Sequence, residues 1–218
     1  MAYTSNPEAL ATGLYDRGFV RFGDYTLKSG LWSPVYINLR GVGSYNRTSE
    51  IRRGRQADIR GSIVRAYSDQ VEAFEHDHIL GIPEAALTIA GLVAHHSNQS
   101  ALQMRVKEKA HGEPVNIEGD YCEDERVVLV DDLITTGGAK IEAKEKVEVH
   151  GLKVAGIAVL VDREQGGVQQ LAEAGIRTEA AIGMTTLINI LAQERRIDEA
   201  QTELLRGYFA GDITERPV

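Results

Sequence analysis

The stretch over residues 126–140, RVVLVDDLITTGGAK, constrains this chain more than any other. Val127, Val128, Leu129 and Val130 form an apolar, β-branched-rich run of the kind that crosses a sheet buried on both faces, which predicts a central strand over 127–130. At its carboxyl end stand Asp131 and Asp132, then Thr135, Thr136, Gly137 and Gly138, and a helical pattern begins at Ala139. Small residues let backbone N–H groups close on an anion, threonines add hydroxyl donors, and a helix start contributes partial positive charge, so the pattern is that of a phosphate cradle. Two carboxylates repel a bare phosphate but suit ribose hydroxyls or a cation carried with the ligand, and the combination points to a sugar phosphate. The plain alternative is a buried strand ending in a solvated acidic turn. It does not account for hydroxyls, glycines and paired acids coinciding at the sheet edge where α/β folds bind ligands.

Other phosphate loops fit worse. Residues 23–29 contain Lys28-Ser29 but place Leu27 where a P-loop needs glycine, and Gly41-Val42-Gly43 lacks the third glycine of a dinucleotide fingerprint. A chain of 218 residues can bury one good core, which predicts a single α/β domain over 1–218 with a small appendage. With 24 basic and 32 acidic residues the net charge is −8, which argues against a nucleic-acid or anionic-membrane surface, so any phosphate site must be local. The single cysteine, Cys122, excludes an internal disulfide framework and a cysteine-based metal site, and fits a reducing compartment. The amino terminus has no basic region followed by an apolar run, and no stretch of about 18 apolar residues occurs, which predicts a soluble, cytoplasmic protein.

Along the chain, Asn6-Pro7-Glu8 reads as a helix start, with Leu10 and Leu14 one turn apart and Gly18 as the stop. Residues 21–40 alternate around Tyr25, Leu27, Val35, Ile37 and Leu39, predicting two short strands with Lys28 at the bend between them. Taken alone, a lysine in a turn is ordinarily a solvated surface group. A basic-sided helix is expected within 48–74. His76 and His78 share a strand face without a third ligand nearby in sequence, and His95 and His96 lie about 100° apart on a helix, so neither pair makes a metal site by itself. A strand over 79–83 leads to a helix over 84–95, and another strand spans 101–106. Residues 105–119, RVKEKAHGEPVNIEG, are polar and aperiodic, which predicts a mobile loop. It reads either as a plain surface loop or as a lid whose cations close over a leaving group. A helix over 139–150 and a strand over 154–161 follow, ending in Asp162-Arg163-Glu164, where Arg163 either pairs with Asp162 or serves a ligand. A helix over 168–174, a strand over 176–182 and two helices to about residue 209 complete the reading.

Four motifs carry a resemblance to a known family. Residues 127–138 resemble the phosphoribosyl-pyrophosphate signature of type I phosphoribosyltransferases, a hydrophobic strand followed by Asp-Asp-x-x-Thr-x-Gly. Residues 22–40, FGDYTLKSGLWSPVYINLR, resemble the amino-terminal hairpin of orotate phosphoribosyltransferases, with its Leu-Lys-Ser-Gly-x-x-Ser-Pro. The family's loop, Arg-Lys-x-x-Lys-x-His-Gly and later Ile-Glu-Gly, is matched by Arg105, Lys109, His111, Gly112, Ile117, Glu118 and Gly119. Val106 stands where that loop has lysine, and Lys107 lies one residue along. Asp162-Arg163 followed by Gln165 and Gly166 resembles the fourth. The turn after residue 82 matches partly: Glu84 is an acid beside an anion site, and Thr88 replaces a common proline.

The resemblance implies a doubly wound parallel sheet with an amino-terminal hood over 1–45 and a lid loop over 105–119. It implies transfer of a phosphoribosyl group from 5-phosphoribosyl 1-pyrophosphate to orotate, with Mg²⁺ on the pyrophosphate. Thr135, Thr136, Gly137, Gly138 and Ala139 then hold the 5′-phosphate, and Asp131 and Asp132 the ribose hydroxyls. Arg105, Lys109, His111 and Mg²⁺ serve the leaving group, with Lys107 beside it. Lys28 and Arg163 hold orotate, whose ring packs by Tyr36 and Ile37. It also implies a homodimer in which the lid of one chain serves its neighbour. Two other readings share the motifs: a non-catalytic sensor of the ribose donor, and a transferase for a purine or uracil. Lys28 and Arg163, both suited to an anionic carboxylate, speak against another base.

Overall fold

The computed structural model describes residues 6–26, 30–44, 58–105 and 117–216. Its centre is a six-stranded sheet in the order β5-β4-β3-β6-β7-β8. The strands are β3 (His78–Gly81), β4 (Ser100–Met104), β5 (Ile117–Glu118), β6 (Arg126–Ile134), β7 (Lys153–Asp162) and β8 (Thr178–Gly183). All neighbours run parallel except β5, which pairs antiparallel with β4 through Gln103↔Glu118 and Met104↔Ile117. The predicted run over 127–130 is therefore the middle of the sheet. Its residues alternate between two cores. Val128 and Val130 join the core on one face, while Val127 and Leu129 join the core on the other, which is why the run is continuously apolar.

One core is filled by α1 (Pro7–Asp16), α2 (Ile59–Val71), α3 (Ala86–Ser97), α6 (Met184–Gln193) and α7 (Glu199–Ala210). The other is covered by α4 (Gly138–Glu148) and α5 (Gly167–Glu173), through Ala143, Val147 and Leu171. After β4 and β5 the chain crosses back past β3 to lay down β6, so the strand order reverses between β3 and β6. That reversal opens a crevice at the strands' carboxyl ends.

The amino-terminal elements form the hood. Asn6 caps α1 by accepting from Glu8 N at 2.9 Å and Ala9 N at 3.2 Å, and Leu10, Ala11 and Leu14 are buried. A separate antiparallel pair follows, β1 (Val20–Thr26) and β2 (Trp32–Ile37), with an irregular register between Phe22 and Tyr25. Lys28, expected at the bend, lies outside the described residues, as do 45–57.

Several boundaries differ from the expectations. Strand β6 continues through both aspartates to Ile134, because β7 runs alongside and pairs with Asp131, Leu133 and Ile134. The expected strand over 101–106 is Ser100–Met104. Ile117–Glu118, expected within the loop, form strand β5. Helix α3 begins at Ala86, two residues later than expected, and its first turn lies so close to β3 that a Cβ on Gly81 would sit 2.5 Å from Ala86 O. His78 bridges Ser100 Oγ and Glu125 Oε2, each at 2.8 Å, while His76 meets Phe74 O at 2.9 Å and Gln99 Oε1 at 3.2 Å. Among the described residues no helix is long and apolar enough to cross a membrane.

Candidate active site

The crevice is built from the ends of β3 and β6. Ile82 N donates to Val130 O at 2.8 Å, tying the turn after β3 to the neighbouring strand. The Pro83–Glu84 peptide in that turn is cis, and Glu84 and Thr88 are both exposed.

The two acids on β6 sit in different surroundings. Asp131 is buried at 8% exposure. One of its oxygens lies 2.6 Å from Lys140 Nζ, the other accepts from Asp132 N at 2.8 Å, and its carbonyl accepts from the buried Tyr67 hydroxyl at 2.6 Å. Asp132 is half-buried and accepts from Leu133 N at 2.8 Å. Burial first, then the neighbouring Asp131 charge, push its carboxyl up to about 6, against the opposing pull of Lys140. Asp132 is thus the more open acid of the pair, and Asp131 is largely committed to interior partners.

The cradle follows directly. Thr135, Thr136 and Gly137 form a bend, and α4 starts at Gly138. Gly137 N donates to Gln170 Oε1 at 2.8 Å, which pins the bend to α5. Gly137 O accepts from Lys140 N and Ile141 N, each at 3.0 Å, which turns the carbonyl into the helix and leaves the first-turn amides of Gly138 and Ala139 as an end of the kind that can take an anion. Thr136, Gly138 and Ala139 are exposed. A Cβ on Gly138 would meet nothing within 4 Å, so the space over the helix start is open to a ligand.

One strand over, Arg163 N donates to Ile134 O at 2.9 Å, so the end of β7 is fastened beside the end of β6. The Arg163 side chain does not pair with Asp162, whose carboxylate accepts from Glu164 N at 2.8 Å. Instead it is buried at 5% exposure, donates from Nη2 to Ser33 Oγ at 3.2 Å, and lies 6.0 Å from the centre of the Phe209 ring. Its Nε has no hydrogen-bond partner among the described residues. Burial lowers the guanidinium pKa, and Tyr208 opposes that shift. Tyr36, on the same strand as Ser33, is exposed and stacks on Tyr25 with centroids 5.3 Å apart, and Ile37 is half-buried against the core that α1, α2, α3, α6 and α7 fill.

Of the loop residues, Arg105 is described, and it pairs with Glu118 across the base of the loop. Lys107, Lys109 and His111, like Lys28, fall outside the described residues. The structure therefore places Asp131, Asp132, residues 135–139 and Arg163 at neighbouring strand ends, and sets Tyr36 and Ile37 on the hood strand that touches Arg163. Sequence reasoning missed Tyr67, Lys140, Gln170 and Ser33, which hold those groups in place. Only Lys140 had a local signal, as a lysine directly after the Gly-Gly-Ala helix start.

Comparisons agree with this arrangement. The phosphoribosyl transferase domain family matches residues 48–174. Over 203 residues the chain is 33% identical to uridine 5′-monophosphate synthase from Bos taurus, covering 92% of this chain and 40% of that protein. Orotate phosphoribosyltransferase from Sulfolobus acidocaldarius is 30% identical over 200 residues, 92% of this chain and 95% of that enzyme. Among solved structures, UMP synthase from Leishmania donovani superposes with a TM-score of 0.81 at 34% identity, over 96% of this chain and 43% of that one. The chain thus spans less than half the length of the two synthases and nearly the whole of the Sulfolobus enzyme. With the switch-point crevice, the acid pair and the helix-start cradle all in place, this chain belongs to the phosphoribosyl transferase domain family, among the orotate phosphoribosyltransferases.

Proposed function

We infer that the chain transfers the phosphoribosyl group of 5-phosphoribosyl 1-pyrophosphate to orotate, giving orotidine 5′-phosphate and pyrophosphate in pyrimidine nucleotide synthesis. The observation that carries the reading is the convergence of three subsites at adjacent strand ends: an open helix-start cradle, a half-buried acid, and a buried arginine with an unpartnered Nε.

The reaction breaks the bond at the anomeric carbon, so positive charge grows on the ribose ring while negative charge grows on the diphosphate, and the protein must stabilise both. Residues 135–139 take the 5′-phosphate. Asp131 and Asp132 take the ribose hydroxyls near the developing cation, with Asp132 the more open. Arg163 forks onto the orotate carboxylate, Lys28 reaches the same substrate, and Tyr36 and Ile37 wall the ring. Arg105, Lys107, Lys109 and His111, from the 105–119 loop, draw off the leaving group.

Among the described residues no three His, Cys, Asp or Glu side chains converge on a metal site. The carboxylate oxygens at the crevice are the hard donors that Mg²⁺ prefers, and they fit an ion that arrives on the diphosphate. When bound, Mg²⁺ neutralises diphosphate charge. The reading extends to a homodimer in which one chain's loop serves the neighbour's site, and to a cytoplasmic setting.

The test is to incubate the protein with the ribose donor, Mg²⁺ and either orotate, uracil or a purine, following base consumption and pyrophosphate release. Orotate alone should be consumed, with pyrophosphate in equal amount. Consumption of another base overturns the acceptor, and binding of the donor without consumption of any base makes the chain a sensor.

A further inference from the structure

The hydroxyl of Ser33 is fully buried, and every hydrogen-bonding position it has is used. Its one O–H donates to Val35 O at 3.0 Å, and its two acceptor positions take Val35 N–H at 3.2 Å and Arg163 Nη2 at 3.2 Å. A serine hydroxyl offers one donor and two acceptors, so nothing is left over. With the O–H and one lone pair tied to Val35 of its own strand, the remaining lone pair has a fixed direction, and that direction is toward the guanidinium. The partners are 130 residues apart in sequence.

The other neighbours of the guanidinium are aromatic residues of α7, one of which, Tyr208, also brings its hydroxyl to it. Phe209 of α7 faces it at 6.0 Å, and Tyr208 beside Phe209 packs edge-on against Trp32, the residue before Ser33, at 5.6 Å. Among the described residues Ser33 is the hydrogen-bond partner that the hood supplies to the guanidinium, whose Nε is left buried and unpartnered. The same strand, β2, carries Tyr36 and Ile37.

We propose that Ser33 is a positioning residue for acceptor binding: its saturated hydroxyl sets the Arg163 fork in register with the ring wall on β2, so that carboxylate and ring of the acceptor are recognised by one rigid strand. This rests on the reading of Arg163 as the orotate-binding group.

Steady-state kinetics of Ser33→Ala against both substrates tests it. The KM for orotate should rise about tenfold, with kcat and the KM for the ribose donor within about twofold of wild type. In an Arg163→Lys background, where no fork remains to be set, adding Ser33→Ala should change the orotate KM by less than about twofold. A purely structural serine would instead raise both KM values together, and would do so equally in either background; that outcome, or an unchanged orotate KM in Ser33→Ala, overturns the proposal. If Ser33→Ala does not fold, Ser33→Cys, which keeps the branching with a somewhat larger atom and weakens the acceptor, should give the same selective rise in milder form, and equal KM values would overturn the proposal too. A wild-type protein that does not consume orotate removes the underlying reading. A wild-type protein that consumes it, with no selective effect at Ser33, removes only the positioning role.

Discussion

Lys140 Nζ stands 2.6 Å from Asp131 Oδ2, with the two side chains only 8% and 11% exposed. Nζ also donates to Leu133 O at 2.7 Å, so a single ammonium fastens the first turn of α4 to the end of β6. Removing one partner of such a pair leaves a buried charge uncompensated, which typically costs about 3–5 kcal/mol. Lys140→Met should therefore lower the unfolding free energy obtained from urea denaturation by an amount of that order. Adding Asp131→Asn to it should restore more than half of the loss, because the orphaned charge then disappears. A double variant as unstable as the single one would show that the ion pair is not what holds this edge together.

Asp132 makes stability depend on pH in the opposite sense to an ordinary paired carboxylate. Its carboxyl is pushed up to about 6 by burial and by Asp131, so the folded state holds the proton more tightly than the unfolded state does. The stabilisation this gives is present at low pH and falls as pH rises through the window up to about 6, at a slope of at most about 1.4 kcal/mol per pH unit, with no further change above it. Asp132→Asn should thus be more stable than wild type near pH 8 and lose that advantage near pH 4. Thermal unfolding at the two pH values checks it, and an advantage of the same size at both would place the Asp132 carboxyl in the ordinary range.

Gly156 on β7 leaves room for the Phe74 ring, since a Cβ there would lie 2.0 Å from a ring carbon. Strand β7 is irregular at this point, the register with β6 shifting between Val127 and Val128, and the Arg177 guanidinium covers the ring at 4.7 Å. Gly156→Ala must displace the ring and should destabilise by about 1–3 kcal/mol, the usual scale for overpacking. Combining it with Phe74→Leu should recover part of that loss. If the two changes simply add in denaturant unfolding, the contact does not limit the packing.

How far these features could be read in advance depends on where their partners lie. The apolar run at 127–130 was legible because burial on both faces leaves a local signature, and so was the capped start of α1 at Asn6-Pro7. The extension of β6 through Asp131 and Asp132 was not, because two aspartates resemble a loop until β7 is seen beside them. Strand β5 has two residues and exists only through β4. Tyr67 reaches Asp131 O across 64 residues, and Gln170 reaches Gly137 across 33. Periodicity reports neighbours three or four residues away, so the cradle residues and Arg163 were visible as motifs, while of the groups that hold them in place only Lys140 left a local signal.

Lys109 belongs to the loop segment outside the described residues, and its role rests on the matching family pattern. If it supplies preorganised charge to the departing diphosphate, Lys109→Ala should slow turnover by roughly 10² to 10³, the scale for removing one such group from a transition state. Single-turnover rates with saturating donor and orotate measure this directly, and an unchanged rate would take the loop out of the chemistry.

Gln170 separates the cradle's structure from its charge. Its side-chain oxygen accepts the buried Gly137 N–H at 2.8 Å, next to the helix start proposed to take the 5′-phosphate. Gln170→Ala leaves that N–H unsatisfied, which should lower stability by about 1–3 kcal/mol and raise the KM for the ribose donor. Gln170→Glu keeps an acceptor in the same place, so the fold should survive, but it brings a negative charge to the edge of an anion site. The donor KM should then rise at low ionic strength and recover in part as salt screens the repulsion, while the orotate KM stays near wild type. Gln170→Glu binding the donor as tightly as wild type at low salt would mean that the phosphate sits elsewhere than over Gly138 and Ala139.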